Sequence, residues 1–168
     1  MSGNQLQAQL MQQLHLPRLK SLQLIELALM HKSYINEAYV QQSQRKDELL
    51  NQHRRLAHLG DSMMNAAITD YLFQKFPHAN QGVLTQKSQP LKARKGAVLY
   101  AQAVRLNCLC KMGVSVREQD KQGDMFGELF EALIGAIYLS SDRDFALTRD
   151  WFQTQCAGII KQQLGEMS

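Results

Sequence analysis

The chain has 168 residues, of which 45% are hydrophobic and 20% are charged, a composition typical of one soluble globular domain. It holds no apolar run long enough to span a membrane and no N-terminal secretory signal, so we expect no membrane partner and a location in the cytoplasm or an organelle interior. The formal net charge of +4 permits a polyanionic partner but does not require one.

Apolar residues recur at the helical period along the whole chain, and no segment alternates at period two. The sequence therefore predicts an all-α fold. We expect an N-terminal helical arm over residues 1–19, amphipathic over residues 4–15 and ended by Pro17. The main domain is expected over residues 20–165.

The main domain is predicted to begin with two helices separated by a polar segment. The first covers residues 21–31, with Ser21 as its N-cap. Residues 38–50 are polar and are expected to form a loop with at most one helical turn. The second helix is the longest of the chain, over residues 51–76, and Pro77 ends it.

The rest of the domain is predicted to be helical as well. A region that opens at Gly82 is expected to be interrupted at Pro90. The helix over residues 124–139 is apolar nearly all round and should lie at the centre of the fold. A loop over residues 113–123 and a break at residues 140–142 separate it from its neighbours, which are predicted over residues 93–110 and 143–164.

Three carboxylates stand within the apolar surfaces of two of these helices. Asp61 lies on the longest helix, whereas Glu128 and Glu131, three residues apart, share a face of the central one. If the two helices cross at these points, the three acids form a cluster that cannot stay ionised without a cation. Oxygen ligands alone suit Mg²⁺ or Mn²⁺, which support phosphodiester hydrolysis. The alternative is that these acids are solvated on helix surfaces.

Four segments resemble, in order and spacing, the motifs of the ribonuclease III catalytic domain. The resemblance covers roughly residues 20–160. It implies an all-helical endonuclease domain, without the separate double-stranded-RNA-binding domain of many relatives, that forms a homodimer and cleaves double-stranded RNA with Mg²⁺. In that family each subunit contributes four acids to one cut. The matching segments are residues 31–37, 55–62, 82–85 and 130–139.

The sequence departs from the family pattern at the acids themselves. The family motif reads Asn-Glu-Arg-Leu-Glu-Phe-Leu-Gly-Asp, where residues 53–61 read His-Arg-Arg-Leu-Ala-His-Leu-Gly-Asp. By the resemblance, Asp61 and Glu131 carry over as catalytic metal ligands, and Glu128 replaces an Asp with a longer arm. Ala57 replaces a Glu and cannot ligate, so we expect reduced metal affinity and weak or lost activity. His58, where the family has an aromatic residue, is expected to be a packing residue rather than a ligand.

Basic residues are predicted to contact the phosphates of double-stranded or structured RNA. An ordinary solvated face is the alternative for each of them. Three functions are open: an Mg²⁺-dependent endonuclease with an incomplete site, a silent RNA-binding or assembly subunit of a ribosomal or RNA-processing particle, and a helical dimer with no RNA role. The candidate RNA-binding residues are Lys32, Arg54, Arg55, Lys87, Lys92, Arg94 and Lys95.

Overall fold

A computed structural model of the protein describes residues 10–17, 19–116 and 123–166. These residues form helices and connecting turns without any strand, and an isolated bridge joins Met30 to Lys111. The predicted all-α fold is confirmed. Besides a helical stretch at residues 10–13 and a 3-10 turn at Leu106–Cys108, the helices are α1 (Gln23–Ala28), α2 (Lys32–Ala38), α3 (Ser43–Lys75), α4 (Gln81–Lys92), α5 (Arg94–Ala103), α6 (Met125–Ser140), α7 (Phe145–Gln155) and α8 (Ala157–Gln163).

Helix α6 lies at the centre of the fold, as predicted, because apolar residues cover almost its whole circumference. Its largest contact is with α3, and two glycines set how closely those helices approach. A Cβ at Gly60 would lie 2.7 Å from the Gly135 nitrogen and would overlap the carbonyl oxygen of Glu131. A Cβ at Gly135 would lie 3.1 Å from the Leu56 carbonyl carbon. The α3–α6 crossing therefore requires glycine on both helices.

An aromatic cluster fixes α5 and α7 against α6. The ring of Phe130 lies 5.8 Å from that of Tyr100 and 6.2 Å from that of Phe152. The Tyr100 hydroxyl donates a hydrogen bond of 3.0 Å to the Leu91 carbonyl, near the end of α4. Because this bond joins α5 to α4, it holds the α4–α5 connection in place beside the N-terminal half of α6.

The N-terminal arm is described only from residue 10 onward, so the prediction for residues 1–9 lies outside the described residues. Leu10 and Leu14 are buried in the core, and the Trp151 indole donates a hydrogen bond of 2.9 Å to the Leu14 carbonyl. This end of the arm packs on α7. The division at residue 19 stays a prediction.

The predicted loop over residues 38–50 is wrong, because α3 begins at Ser43 and not at residue 51. A solvent-facing helix accepts polar residues, and here Glu48 receives a hydrogen bond from Gln44 and an ion pair from Arg45, each at 3.5 Å. Leu49 is buried and ties this turn to the core. The polar composition of the segment concealed this buried contact.

Three predicted helix boundaries are also wrong. Helix α1 begins after Leu22, and Ser21 accepts a hydrogen bond from the Gln23 nitrogen without being the cap. Pro90 does not interrupt α4, which continues to Lys92 although proline supplies no N–H to the last turn. The predicted break-and-cap at residues 140–142 is displaced, because the residue that caps α7 is Asp144.

The two remaining long helices are each shorter than predicted. Helix α5 ends at Ala103, and the chain turns at Arg105 with a φ of 55° before the 3-10 turn. The last predicted helix is two helices, α7 and α8, which meet at the buried Cys156. No helix in the described part of the chain is both long and apolar enough to cross a membrane.

Candidate active site

The α3–α6 crossing opens at one edge into a pocket of about 460 Å³. The three acids singled out in the sequence all line it, so helical spacing and the crossing bring them to one place. Lys92 and Arg94, on either side of the α4–α5 connection, line the same pocket. The lining residues are Ala57, His58, Asp61, Lys92, Arg94, Glu128 and Glu131.

Asp61 and Ala57 lie one turn apart on the face of α3 that meets α6. The Asn65 amide donates a hydrogen bond of 3.1 Å to the Asp61 carboxylate, which fixes its orientation. Ala57 is 6% exposed and contributes only a methyl group to the pocket wall. The pocket therefore has no oxygen atom at the place where the resemblance implies a fourth carboxylate.

Glu131 is the most enclosed acid of the pocket, with a side chain that is 13% exposed. The pKa of its carboxyl is raised from 4.5 to about 7, chiefly by burial and also by the negative charges of Asp61 and Glu128, while the charge of Arg94 opposes the shift. One Arg94 guanidinium nitrogen lies 3.5 Å from Oε1 and 3.4 Å from Oε2 of Glu131. A cation of the chain itself thus faces this carboxylate.

The carboxylate oxygens that line the pocket are the candidate ligands for a divalent metal ion. Carboxylate oxygens are the ligands that Mg²⁺ and Mn²⁺ prefer. Their arrangement does not fit, because Ala57 supplies no ligand and Glu131 faces a guanidinium. Within the described ranges, no group of three or more His, Cys, Asp or Glu residues is placed to hold a metal ion. The pocket therefore lacks a complete metal site.

Two buried histidines are electrostatic neighbours of Glu128, and sequence reasoning missed them. Burial lowers the pKa of both His31 and His53, and the Glu128 charge opposes that shift in each. The ring Nε2 of His53 lies 3.3 Å from the Ala28 carbonyl oxygen, and His31 caps α2 through the Ser33 nitrogen. Position 53 offered a signal, because the family motif has a smaller polar residue there.

His58 does not pack within the chain, so its predicted packing role is wrong for the described structure. It is exposed and lines the pocket. Helical geometry turns it about 100° from Ala57, away from α6. The side chain is therefore directed to the pocket mouth rather than to the core.

The predicted RNA-binding residues do not form one patch. Lys92 and Arg94 line the pocket, and Lys95 is exposed on the first turn of α5. Lys92 donates a hydrogen bond of 2.8 Å from Nζ to Thr69. Lys92 and Arg94 therefore share the pocket with the acids, and Lys95 follows Arg94 on α5 without lining the pocket.

The other basic candidates lie elsewhere. Arg55 lines a separate groove beside Leu56 and Leu139. Lys87 lies over the Phe76 ring, 4.5 Å from its centroid. Lys32 and Arg54 are exposed but do not line the pocket. Of the predicted RNA-binding residues, Lys92 and Arg94 are therefore the two that line the candidate site.

Comparison with known proteins shows a family that this chain resembles. A family model described as Ribonuclease-III-like matches residues 21–157. The chain is 37% identical over 123 residues to Ribonuclease 3 of Protochlamydia amoebophila, covering 71% of the chain and 47% of the relative. It is 34% identical over 125 residues to Ribonuclease 3 of Chloroflexus aggregans, covering 73% and 52%. The chain thus spans about half the length of the curated relatives it matches.

The fold has a solved counterpart. The nuclease domain of Ribonuclease III from Campylobacter jejuni superimposes with a TM-score of 0.65 and 25% sequence identity, over 93% of this chain and 96% of that one. That structure is described as having a region involved in dimer formation. The likeness extends over nearly the whole of both chains.

Proposed function

The chain belongs to the ribonuclease III family, and we propose that it binds double-stranded or structured RNA across the carboxylate pocket and hydrolyses it weakly or not at all. One observation carries this proposal: the pocket keeps Asp61, Glu128 and Glu131 but has a methyl group at Ala57 and a guanidinium on Glu131. Membership of the ribonuclease III family favours phosphodiester hydrolysis. The altered pocket favours binding over cutting.

The α4–α5 connection supports RNA binding. Lys92, Arg94 and Lys95 gather at the start of α5, whose first turn holds no acidic residue and whose N-cap Ala93 offers no capping side chain. The unsatisfied N–H groups and the positive end of the helix dipole attract anions at such a terminus. Phosphates of an A-form duplex would be held there while the acids face the scissile strand.

We expect inefficient cleavage because the carboxylates of the pocket are an incomplete set. Hydrolysis in this family depends on Mg²⁺ or Mn²⁺, and the residues present do not make a complete site for either ion. Misplacement of a reacting group by about 1 Å can cost ~10²-fold in rate. Because Glu128 has a longer arm than Asp and position 57 has no ligand, we expect cleavage at least about 10²-fold below that of a complete site.

A cleavage assay tests the proposal. Purified protein is incubated with long double-stranded RNA and Mg²⁺, beside an Asp61→Asn and an Ala57→Glu variant. The expected result is RNA retention by the parent that weakens with salt, little or no cleavage, and faster cleavage by Ala57→Glu. Rapid cleavage by the parent that disappears in Asp61→Asn would show an intact nuclease. Absence of RNA retention would leave only the helical dimer without an RNA role.

We also propose that two copies pair about a twofold axis, so that two pockets face one duplex. Sedimentation equilibrium at several concentrations measures this directly, and a monomer at every concentration would contradict it.

RNA retention without cleavage would place the chain among silent RNA-binding or assembly subunits of ribonucleoprotein particles, such as a ribosome or an RNA-processing complex. Co-sedimentation with such particles from a cell extract would then identify the host.

A further inference from the structure

We infer that Arg94 is the resident counter-ion of the carboxylate pocket and competes with divalent cations for it by pairing with Glu131. This inference concerns how the site of the proposed function is regulated, and so rests on it. Glu131 is 13% exposed on its side chain, and a carboxylate so enclosed is stabilised in its ionised form by a partner of opposite charge.

The charges around the pocket show that the cationic partner of Glu131 belongs to the chain itself. Three carboxylates and two cations line the pocket, which leaves a formal charge of −1. A divalent cation would over-neutralise this site. Without Arg94 the formal charge would be −2, which matches the charge of one Mg²⁺ or Mn²⁺. Arg94 therefore decides the balance between the chain's own cation and an added one.

The packing of α5 against α6, rather than the stability of α5 itself, accounts for the position of Arg94. Arg94 is the first residue of α5, where a cation opposes the helix dipole, so the stability of α5 does not explain it. Its Cδ lies where a Cβ at Gly127 would approach to 3.0 Å, so the stem lies against the glycine backbone of α6. A side chain at position 127 would push this stem away from Glu131.

The pairing is close enough to compete with a metal and loose enough to be displaced. The two Arg94–Glu131 distances of 3.4 and 3.5 Å exceed the about 2.8 Å of a strong charge-assisted hydrogen bond. The Arg94 side chain is 51% exposed, so it can leave the pocket without disturbing the core. Binding of a divalent cation must therefore displace a solvent-accessible guanidinium.

Mn²⁺ binding to the purified protein, without RNA, tests the inference. Electron paramagnetic resonance counts free Mn²⁺ while the parent and an Arg94→Ala variant are titrated at fixed ionic strength. We expect Arg94→Ala to bind Mn²⁺ about tenfold more tightly. The matched control is Arg45→Ala, which removes an arginine that is 57% exposed and lies 3.5 Å from Glu48. We expect this control to change affinity less than about twofold.

A second substitution separates a direct pairing from a general charge effect. The effect of Arg94→Ala on Mn²⁺ affinity is measured again on a Glu131→Gln background. There, Arg94→Ala should no longer tighten Mn²⁺ binding. Equal shifts in Arg94→Ala and Arg45→Ala would overturn the inference, as would a gain that survives Glu131→Gln. If neither the parent nor Arg94→Ala binds measurably, the comparison is repeated on an Ala57→Glu background, where equal affinities would also overturn it. Because RNA is absent, failure here leaves the RNA-retention result of the proposed function unchanged.

Discussion

The α3–α6 contact has two regions that differ in what they tolerate. At its centre, Gly60 and Gly135 bring two backbones together so closely that a single methyl group on either would overlap the other helix. At its edge, one residue beyond Gly60, Asp61 opens into a pocket of about 460 Å³. The same crossing thus has a region governed by van der Waals overlap beside one governed by charge.

This difference explains where the chain has kept the family pattern and where it has lost it. A change at the glycine crossing would separate the helices and every residue they position. A change in the pocket, such as alanine at position 57, alters the chemistry and leaves the packing intact. Ala57 is buried in a wall that closes normally without a carboxylate. The fold therefore does not depend on a carboxylate at position 57.

The largest expected effect is at the glycine crossing. Gly135→Ala or Gly60→Ala should lower the free energy of unfolding by about 3 kcal/mol or more, because overpacked backbones must move apart. Urea denaturation followed by circular dichroism measures it. Gly158→Ala is the control, since nothing lies within 4 Å of a Cβ there and helix propensity should raise stability by about 0.5–1 kcal/mol. Equal effects at the three positions would show that the crossing is not tight.

A smaller change, this time an increase in the free energy of unfolding, is expected from a substitution in the pocket. The folded-state pKa of Glu131 is raised from 4.5 to about 7, so its contribution to stability is complete below about pH 4 and is lost as the pH rises through 7. Glu131→Gln removes this loss and should stabilise the protein by roughly 1–3 kcal/mol at about pH 8, with little change at about pH 4.

Urea unfolding at both pH values measures the Glu131→Gln difference. The control is Glu48→Gln, whose side chain is 55% exposed and also faces an arginine. A stabilisation that is the same at the two pH values would contradict the electrostatic origin. Destabilisation at about pH 8 would show that the Arg94 pairing outweighs the burial of the carboxylate.

The smallest expected effect is at Ala57, where the two regions meet. Ala57→Glu places a fourth carboxylate beside three others and should cost about 1 kcal/mol of stability without metal. Millimolar Mn²⁺ should recover this loss and raise the thermal midpoint of Ala57→Glu more than that of the parent, since only the folded variant offers the extra ligand. Differential scanning calorimetry checks both values. Equal Mn²⁺ effects on the two proteins would show that position 57 does not reach the pocket interior.

Much of the site was predictable because helices convert spacing into position. Glu128 and Glu131 are three residues apart, Ala57 and Asp61 are four apart, and each pair shares a face whatever the helix packs against. The apolar circumference of residues 124–139 predicted a central helix. These local patterns, with the resemblance, predicted that the acids would meet.

Other features depend on contacts between distant segments and could not be read from local sequence. Arg94 was predicted as an RNA contact, but its proximity to Glu131 depends on how α5 lies across Gly127. The burial of His31 and His53 beside Glu128 depends on how α1, α2 and α3 pack. The burial of Leu49 against the core depends on how α3 packs, although the residues around it are polar.

The sequence by itself determined the helical class, the family and the absence of a carboxylate at position 57, because periodicity, motif order and residue identity are properties of the chain alone. Only the tertiary structure decided which charges face each other. The pKa of Glu131 and its pairing with Arg94 arise where three helices meet, since desolvation and Coulomb interactions depend on distances in space rather than along the chain.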